Sequence, residues 1–81
     1  MREEVVAETL SFTVILEPQV EGGFTVTAPA LPELVTEGDT EAEALAMAEE
    51  AIRAVLEYRR DNGIAIPADA SPVLRKISVA A

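Results

Sequence analysis

The chain has 81 residues, of which 49 % are hydrophobic and 26 % are charged, and it contains neither cysteine nor histidine. A chain of this length predicts one domain with a core of marginal stability, which association with a second chain commonly supplements. The missing residue types exclude disulfides, cysteine nucleophiles and histidine-based acid–base or metal chemistry. We therefore expect no cofactor and no metal site.

The charge is distributed unevenly along the chain. The formal net charge is −9, and twelve acids but no base lie between Glu3 and Ile52, whereas five of the six bases follow that segment. Nucleic acid would be repelled by the first segment, because its binding depends on Lys and Arg. A basic protein would be attracted. The alternative is that the surplus of acids serves solubility alone.

The beginning of the chain does not read as a targeting segment. It starts MREEVVAE, with acids where a secretory signal has a basic region, and its apolar runs are only a few residues long. A membrane helix needs roughly 20 apolar residues. We expect a cytoplasmic protein that does not enter a membrane.

Two strands joined by a hairpin are predicted in the first third of the chain. Residues 10–17 alternate between apolar and polar side chains, which is typical of a strand with one buried face. Gly22 and Gly23 tolerate the positive φ of a turn, and residues 23–28 alternate again. The buried face of the first strand carries Leu10, Phe12, Val14 and Leu16.

A short strand and a long helix follow. Residues 29–32 read Pro-Ala-Leu-Pro and predict an extended or turned connection to a third strand at residues 34–36. Thr40 and Glu43 have the spacing of a capping box. In this motif the Thr40 hydroxyl accepts a hydrogen bond from the Glu43 N–H, and the Glu43 carboxylate accepts one from the Thr40 N–H. Residues 41–61 have strong helix propensity and contain no Gly or Pro.

The side chains near the end of the chain again alternate in polarity. Residues 73–79 predict a last strand, with Arg75 on its otherwise apolar face, where it would need an acid or have to reach solvent. The element order is then β-β-β-α-β in a single domain spanning residues 1–81. The predicted class is α+β, a small three- to four-stranded, mainly antiparallel sheet packed on one long helix.

The apolar arc of the predicted helix is wider than one sheet face requires. At 100° per residue it spans roughly 200°. We expect the part of this arc beyond the sheet to form a subunit contact in a homo-oligomer, and the alternative is that it is only the edge of the core. The expected contact consists of Met47, Ala51, Ala54 and Tyr58.

Catalysis would have to rely on carboxylates, and they do not converge. A carboxylate or two-metal site draws its acids from several elements into one pocket. Here the acids lie at turns, at strand ends and on one helix, and only Glu17 occupies a regular strand position. A degenerate nuclease using Glu17 or Asp39 is the alternative, but we expect no catalytic residues and no enzyme.

The succession of short motifs resembles the HicB-like antitoxin family. The resemblance covers residues 12–67 and the closing strand, and it implies a partial ribonuclease H-like fold without the nuclease carboxylates. It also implies that the chain neutralises a small basic mRNA-cleaving toxin of the HicA type by covering the toxin's active face. The matching motifs, in order, are Glu21-Gly22-Gly23-Phe24, Pro29-Ala30-Leu31-Pro32, Thr36-x-Gly38-Asp39-Thr40, Glu43-Ala44 and Ile66-Pro67.

The same resemblance implies a toxin interface on the hairpin and the connection after it. Glu33 stands where many members of the family have Gly. Members usually continue into a DNA-binding domain, whereas this sequence ends at Ala81, so we do not expect operator binding. The alternative function is a stand-alone oligomeric accessory or ligand-sensing domain of the same fold. The implied interface residues are Glu21, Phe24, Pro29, Leu31, Pro32 and Glu33.

Overall fold

The computed structural model describes residues 9–81. The acidic residues at the start of the chain lie outside the described residues. Our expectation that the chain has no secretory signal depends on those residues. Within residues 9–81 the order is β1 (Ile15–Pro18), β2 (Phe24–Thr27), β3 (Val35–Gly38) and α1 (Glu41–Asp61). The strands form one antiparallel sheet in the order β1-β2-β3, and α1 packs on one of its faces. The α+β class is confirmed, and the ribonuclease H-like topology stays a prediction.

The β1–β2 hairpin closes through its glycines. The Gln19 N–H donates to the Gly23 carbonyl at 2.9 Å, and the Gly22 N–H donates to the Gln19 carbonyl at 3.0 Å. Gly22 and Gly23 have φ values of +100° and +80°, which residues with a Cβ rarely adopt. The turn fixes a register in which Leu16 lies opposite Val26.

The connection between β2 and β3 consists of two consecutive turns. The Leu31 N–H donates to Ala28 and the Leu34 N–H donates to Leu31, both at 2.9 Å. Each turn carries a proline at its second position, where the fixed φ of proline is favourable. The turns place Ala28, Leu31 and Leu34 in the core, at 3 %, 0 % and 2 % exposure, and leave both prolines outside.

The helix meets the sheet most closely at Gly38. This residue is buried at the end of β3, and a Cβ built on it would lie 2.6 Å from the Ala44 Cα and would overlap the Ala44 backbone nitrogen. Only a glycine therefore allows α1 to approach this strand. Ala44 and Ala48, both almost fully buried, pack with Val26 at the centre of the sheet.

The predicted helix is confirmed at both ends. The Glu43 N–H donates to the Thr40 hydroxyl at 3.1 Å, which caps α1 at its start. The Glu43 carboxylate accepts from the Asp39 N–H, at 3.4 Å, rather than from the Thr40 N–H that we expected. At the other end Gly63 has a φ of +66°, which lets the chain leave the helix. No helix among residues 9–81 is long and apolar enough to cross a membrane.

The strand predicted at residues 73–79 does not form in the single chain. Residues 64–81 contain no helix, strand or turn. The alternating pattern shows that one face of the segment is apolar, but a strand also needs a neighbour to accept and donate its hydrogen bonds. Its apolar residues are 70–85 % exposed: Val73, Leu74, Ile77 and Val79.

The other strand boundaries differ from the prediction for a similar reason. β1 begins at Ile15 rather than at residue 10, because β2 ends at Thr27, which is the partner of Ile15. The apolar alternation upstream still holds, since Phe12 and Val14 pack against the core. β3 runs to Gly38 because its register places Gly38 opposite Phe24.

Substituting Gly38 by Ala should therefore be costly. The added methyl group would collide with the backbone of α1, and overpacking of this kind costs about 3 kcal/mol of unfolding free energy. Gly63→Ala is the matched control, because its Cβ would meet no atom within 4 Å, and only the left-handed φ would cost about 1 kcal/mol. Urea denaturation followed by circular dichroism measures both. Equal losses in the two variants would contradict the close approach.

Candidate partner-binding surface

The outer face of the sheet is the face opposite α1. No helix or strand in residues 9–81 packs on it. The register places Glu17, Thr25 and Glu37 in one row across the three strands, with the threonine between the two acids. The next row contains Ile15, Thr27 and Val35, and Val35 is 68 % exposed.

This face is acidic at the hairpin end. Glu17 and Glu37 are exposed and lie two strand spacings apart, about 10 Å. Glu21 is exposed at the hairpin tip beside them, and we call these three residues the acidic face. Every residue of β1, β2 and β3 precedes Arg53, the first base after the segment that carries none. No base of the sheet itself therefore neutralises the acidic face, which favours a basic partner.

The structure separates the six predicted interface residues into two groups. Glu21 lies at the hairpin tip, before β2, whereas Pro29 and Pro32 lie in the two turns after β2. The length of β2, about 13 Å, lies between the groups. Glu21, Pro29 and Pro32 are exposed and open to direct contact.

The other three predicted residues have internal roles. Phe24 is half-buried and packs against the Val26 core, and Leu31 is fully buried with Ala28 and Leu34. Neither side chain is presented to a partner in this conformation. Glu33 is exposed, but it is held in an ion pair within the chain.

The ion pair joins Glu33 to Arg59 at the end of α1. Arg59 Nε donates to one carboxylate oxygen at 2.9 Å and Nη2 donates to the other at 2.8 Å. Arg59 Nη1 also donates to the Ala65 carbonyl at 2.9 Å, so one guanidinium connects the proline turns, the helix and the chain after it. The hydrogen bond from Arg59 is the main cause that lowers the pKa of the Glu33 carboxyl, and the same bond raises the pKa of Arg59.

The sequence did not reveal this pair, because the residues are 26 positions apart. A basic residue in the last turn is already explained by the helix dipole. The available signal was Glu33 itself, a charged residue in a proline-rich turn where the related family commonly has Gly. A charge placed there has a structural role when a cation lies within reach.

A second contact ties the chain after the helix to the start of the sheet. Asp69 Oδ1 accepts from the Thr13 N–H at 2.8 Å, and Oδ2 accepts from the Thr13 hydroxyl at 2.7 Å. The backbone bond from Thr13 is the largest cause that lowers the pKa of Asp69. The sequence predicted only a loop at this position.

The predicted oligomer contact lies mainly on the surface. Met47, Ala54 and Tyr58 are exposed, with Met47 at 40 % and Tyr58 at 58 %. Ala51 is half-buried and packs against the cluster formed by the two proline turns. This face of α1 therefore adjoins the turns that carry Pro29 and Pro32.

The carboxylates are not arranged as a metal site. No group of three or more acids among residues 9–81 could hold a metal ion. Glu17 lies in β1 and Asp39 follows β3, with β2 between them. That places the two residues of the alternative nuclease about 10 Å apart, which is too far for them to share one ion.

Two known proteins are similar to this chain, although no family model matches it. It is 40 % identical to a UPF0150 protein of Thermoplasma acidophilum over an aligned region of 60 residues. This region covers 74 % of this chain and 87 % of that protein. It is 39 % identical to Antitoxin HicB 1 of Photorhabdus laumondii over an aligned region of 62 residues. This region covers 76 % of this chain and 40 % of that protein. The chain thus spans less than half the length of that antitoxin.

Lowering the pH should reduce the free energy of unfolding, partly because Glu33 becomes protonated. Because its pKa is lower in the folded state, the stability it contributes is complete above the ordinary carboxyl pKa of about 4 and is lost as the pH falls through the lowered value. We expect Glu33→Gln to lower stability near neutral pH and to make it fall less steeply towards about pH 3. Urea denaturation at a series of pH values measures this dependence.

The control is Glu50→Gln, on the exposed surface of α1, because within residues 9–81 Glu50 takes part in neither ion pair, Glu49–Arg53 or Glu33–Arg59. Its pH dependence should follow that of the wild type. If Glu33→Gln also followed the wild type, the ion pair with Arg59 would not contribute to stability.

Proposed function

The chain belongs to the HicB-like (UPF0150) family, and from that premise we propose that it is a non-catalytic antitoxin. It binds a small basic mRNA-cleaving toxin of the HicA type in the cytoplasm and neutralises the toxin by covering its active face. The proposal is supported by the name of the antitoxin relative. It is supported equally by the chemistry of the sheet.

The observation that carries the proposal is the acidic face. A ribonuclease binds a polyanion, so its active face must present cations. Glu17, Glu21 and Glu37 present carboxylates on a surface that no helix or strand of residues 9–81 covers. An inhibitor with such a surface competes with RNA for the same cations, and its charge accelerates the encounter. No reaction of its own is required.

The rigid proline turns form the second part of the proposed interface. Pro29 and Pro32 are exposed and are held by the turn hydrogen bonds and by the Arg59–Glu33 ion pair. A surface fixed before binding loses little conformational entropy when a partner arrives. Phe24 and Leu31 support the interface through packing, and Glu33 positions the turn.

A second function has one observation in its favour. An open groove of about 880 Å³ beside α1 is lined partly by apolar residues, among them Leu10, Phe12 and Ile52. Such a groove suits an oligomeric accessory or ligand-sensing domain with the same fold. This function predicts no toxin gene beside the gene for this chain. It also predicts that the chain is complete without a basic partner.

The experiment uses the basic protein encoded beside the gene. The two proteins should copurify, and the chain should protect RNA from cleavage by that protein. Glu37→Lys should weaken binding by about tenfold or more, because it places a cation against the cations of the toxin. Titration calorimetry measures the affinity, and an RNA cleavage assay measures the protection.

Glu50→Lys is the matched control, since it makes the same change in net charge on the exposed surface of α1. It should bind almost as well as the wild type. If both variants lose the same affinity, only the net charge matters and the acidic face is not the interface. If no neighbouring basic protein binds or is inhibited, the antitoxin proposal fails.

A further inference from the structure

The C-terminal segment, residues 73–79, has the pattern of a strand but no neighbour. Its alternation places Val73, Arg75, Ile77 and Val79 on one side, and the whole segment is exposed. Ile77 is 85 % exposed and Val79 is 82 % exposed. Isolated β-branched residues on a surface are common, but three of them on one side of an unpaired segment are not.

The sheet has a matching unfilled position on its β1 side. Within residues 9–81, β1 has a strand neighbour only in β2, so its other edge is open. α1 makes its main contacts with β3 and then with β2, and the open groove of about 880 Å³ lies between α1 and the residues that lead into β1. The groove is lined on the sheet side by Leu10, Phe12 and Val14 and on the helix side by Leu45, Ala48, Ile52 and Leu56.

The segment is basic, whereas the rest of the described chain is acidic. Residues 73–81 carry two bases and no acid, whereas residues 9–72 carry twelve acids and three bases. The groove lining carries three acids, Glu49, Glu57 and Asp61, and two bases, Arg53 and Arg60. Glu49 is paired with Arg53. Glu57 and Asp61 therefore remain against Arg60. In a strand seated on the groove, Arg75, on the apolar side of the segment, extends its long side chain towards Glu57 and Asp61. Arg75 would then have an acid, which is one of the two environments, acid or solvent, expected for it.

The segment does not pair with β1 of its own chain. Asp69 is held beside Thr13 by two hydrogen bonds, and residues 64–81 contain no turn. Val73 is four positions after Asp69, so Val73 would lie level with Glu17 if the chain ran along β1, or level with Thr9 if it ran the other way. In the first direction only Val73 and Leu74 would lie level with β1, and in the second direction the segment would run away from β1.

We propose that residues 73–79 of a second copy of this chain fill this position. The segment pairs with the free edge of β1 as a fourth strand and turns Val73, Ile77 and Val79 into the groove. The exchange is reciprocal, so that each copy gives its segment to the other, as a two-fold symmetric dimer requires. This dimer is independent of the proposed toxin, because it is assembled from this chain alone.

The full chain should therefore have twice the 8.6 kDa mass of one copy in size-exclusion chromatography with light scattering at high micromolar concentration. Ile77→Asp should raise the dimer dissociation constant by at least about tenfold, because it places a charge in the groove. Ser78→Asp makes a similar charge change on the opposite side of the segment and should leave the dimer intact. A wild-type monomer, or an intact Ile77→Asp dimer, would overturn the proposal.

A second pair of variants tests the groove and separates it from the helix contact predicted earlier. Leu45 lines the groove and Met47 does not, and the two side chains have similar exposure, 47 % and 40 %. Leu45→Asp should dissociate the dimer and Met47→Asp should not. The reverse result would overturn the proposal and would favour a dimer formed through the Met47 face of α1.

Mixing two monomeric variants tests the exchange itself. Ile77→Asp keeps an intact groove and Leu45→Asp keeps an intact segment, so a mixed pair contains one complete contact. The mixture should recover a species of twice the single-chain mass, whereas each variant alone stays monomeric. A mixture that stays monomeric would overturn the exchange. The helix signal in circular dichroism confirms that all variants are folded.

Discussion

The position of α1 depends on the absence of one methyl group. At Gly38 the backbone of β3 approaches Ala44 so closely that no Cβ fits between them. This contact brings the start of the helix to the β3 edge, and α1 then covers β3 and β2 more than β1. The core is built around that offset, with Val26, Ala44 and Ala48 at its centre. The open side of the sheet is a direct consequence.

The offset divides the molecule into surfaces with different chemistry. The outer face of the sheet is acidic and is suited to a basic protein. The β1 side, with its apolar groove, is suited to a strand that carries bases and β-branched residues. Because the two surfaces do not overlap, the proposed dimer leaves the acidic face of both copies exposed. The proposed dimer and the proposed binding of a basic toxin are therefore compatible, with one toxin on each copy.

Elements that depend on residues close together in the sequence could be predicted, whereas contacts between residues far apart in the sequence could not. The helix at residues 41–61 and the hairpin at Gly22 and Gly23 follow from capping, propensity and turn geometry, each of which acts within a few residues. Whether residues 73–79 find a strand partner depends on a neighbour that the pattern does not specify. The pairing of Glu33 with Arg59 depends on the folded connection between them.

The Arg59–Glu33 pair has a further consequence for how the chain could change in length. Fifteen positions separate Ala44, which is fixed against Gly38, from Arg59, which is fixed to Glu33. Inserting or deleting one residue between these two points would rotate Arg59 by about 100° and shift it by about 1.5 Å along the axis. The guanidinium would then face away from the carboxylate. A whole added turn would restore the direction of the guanidinium but would shift it by about 5.4 Å along the axis, so any insertion or deletion between Ala44 and Arg59 should cost this ion pair.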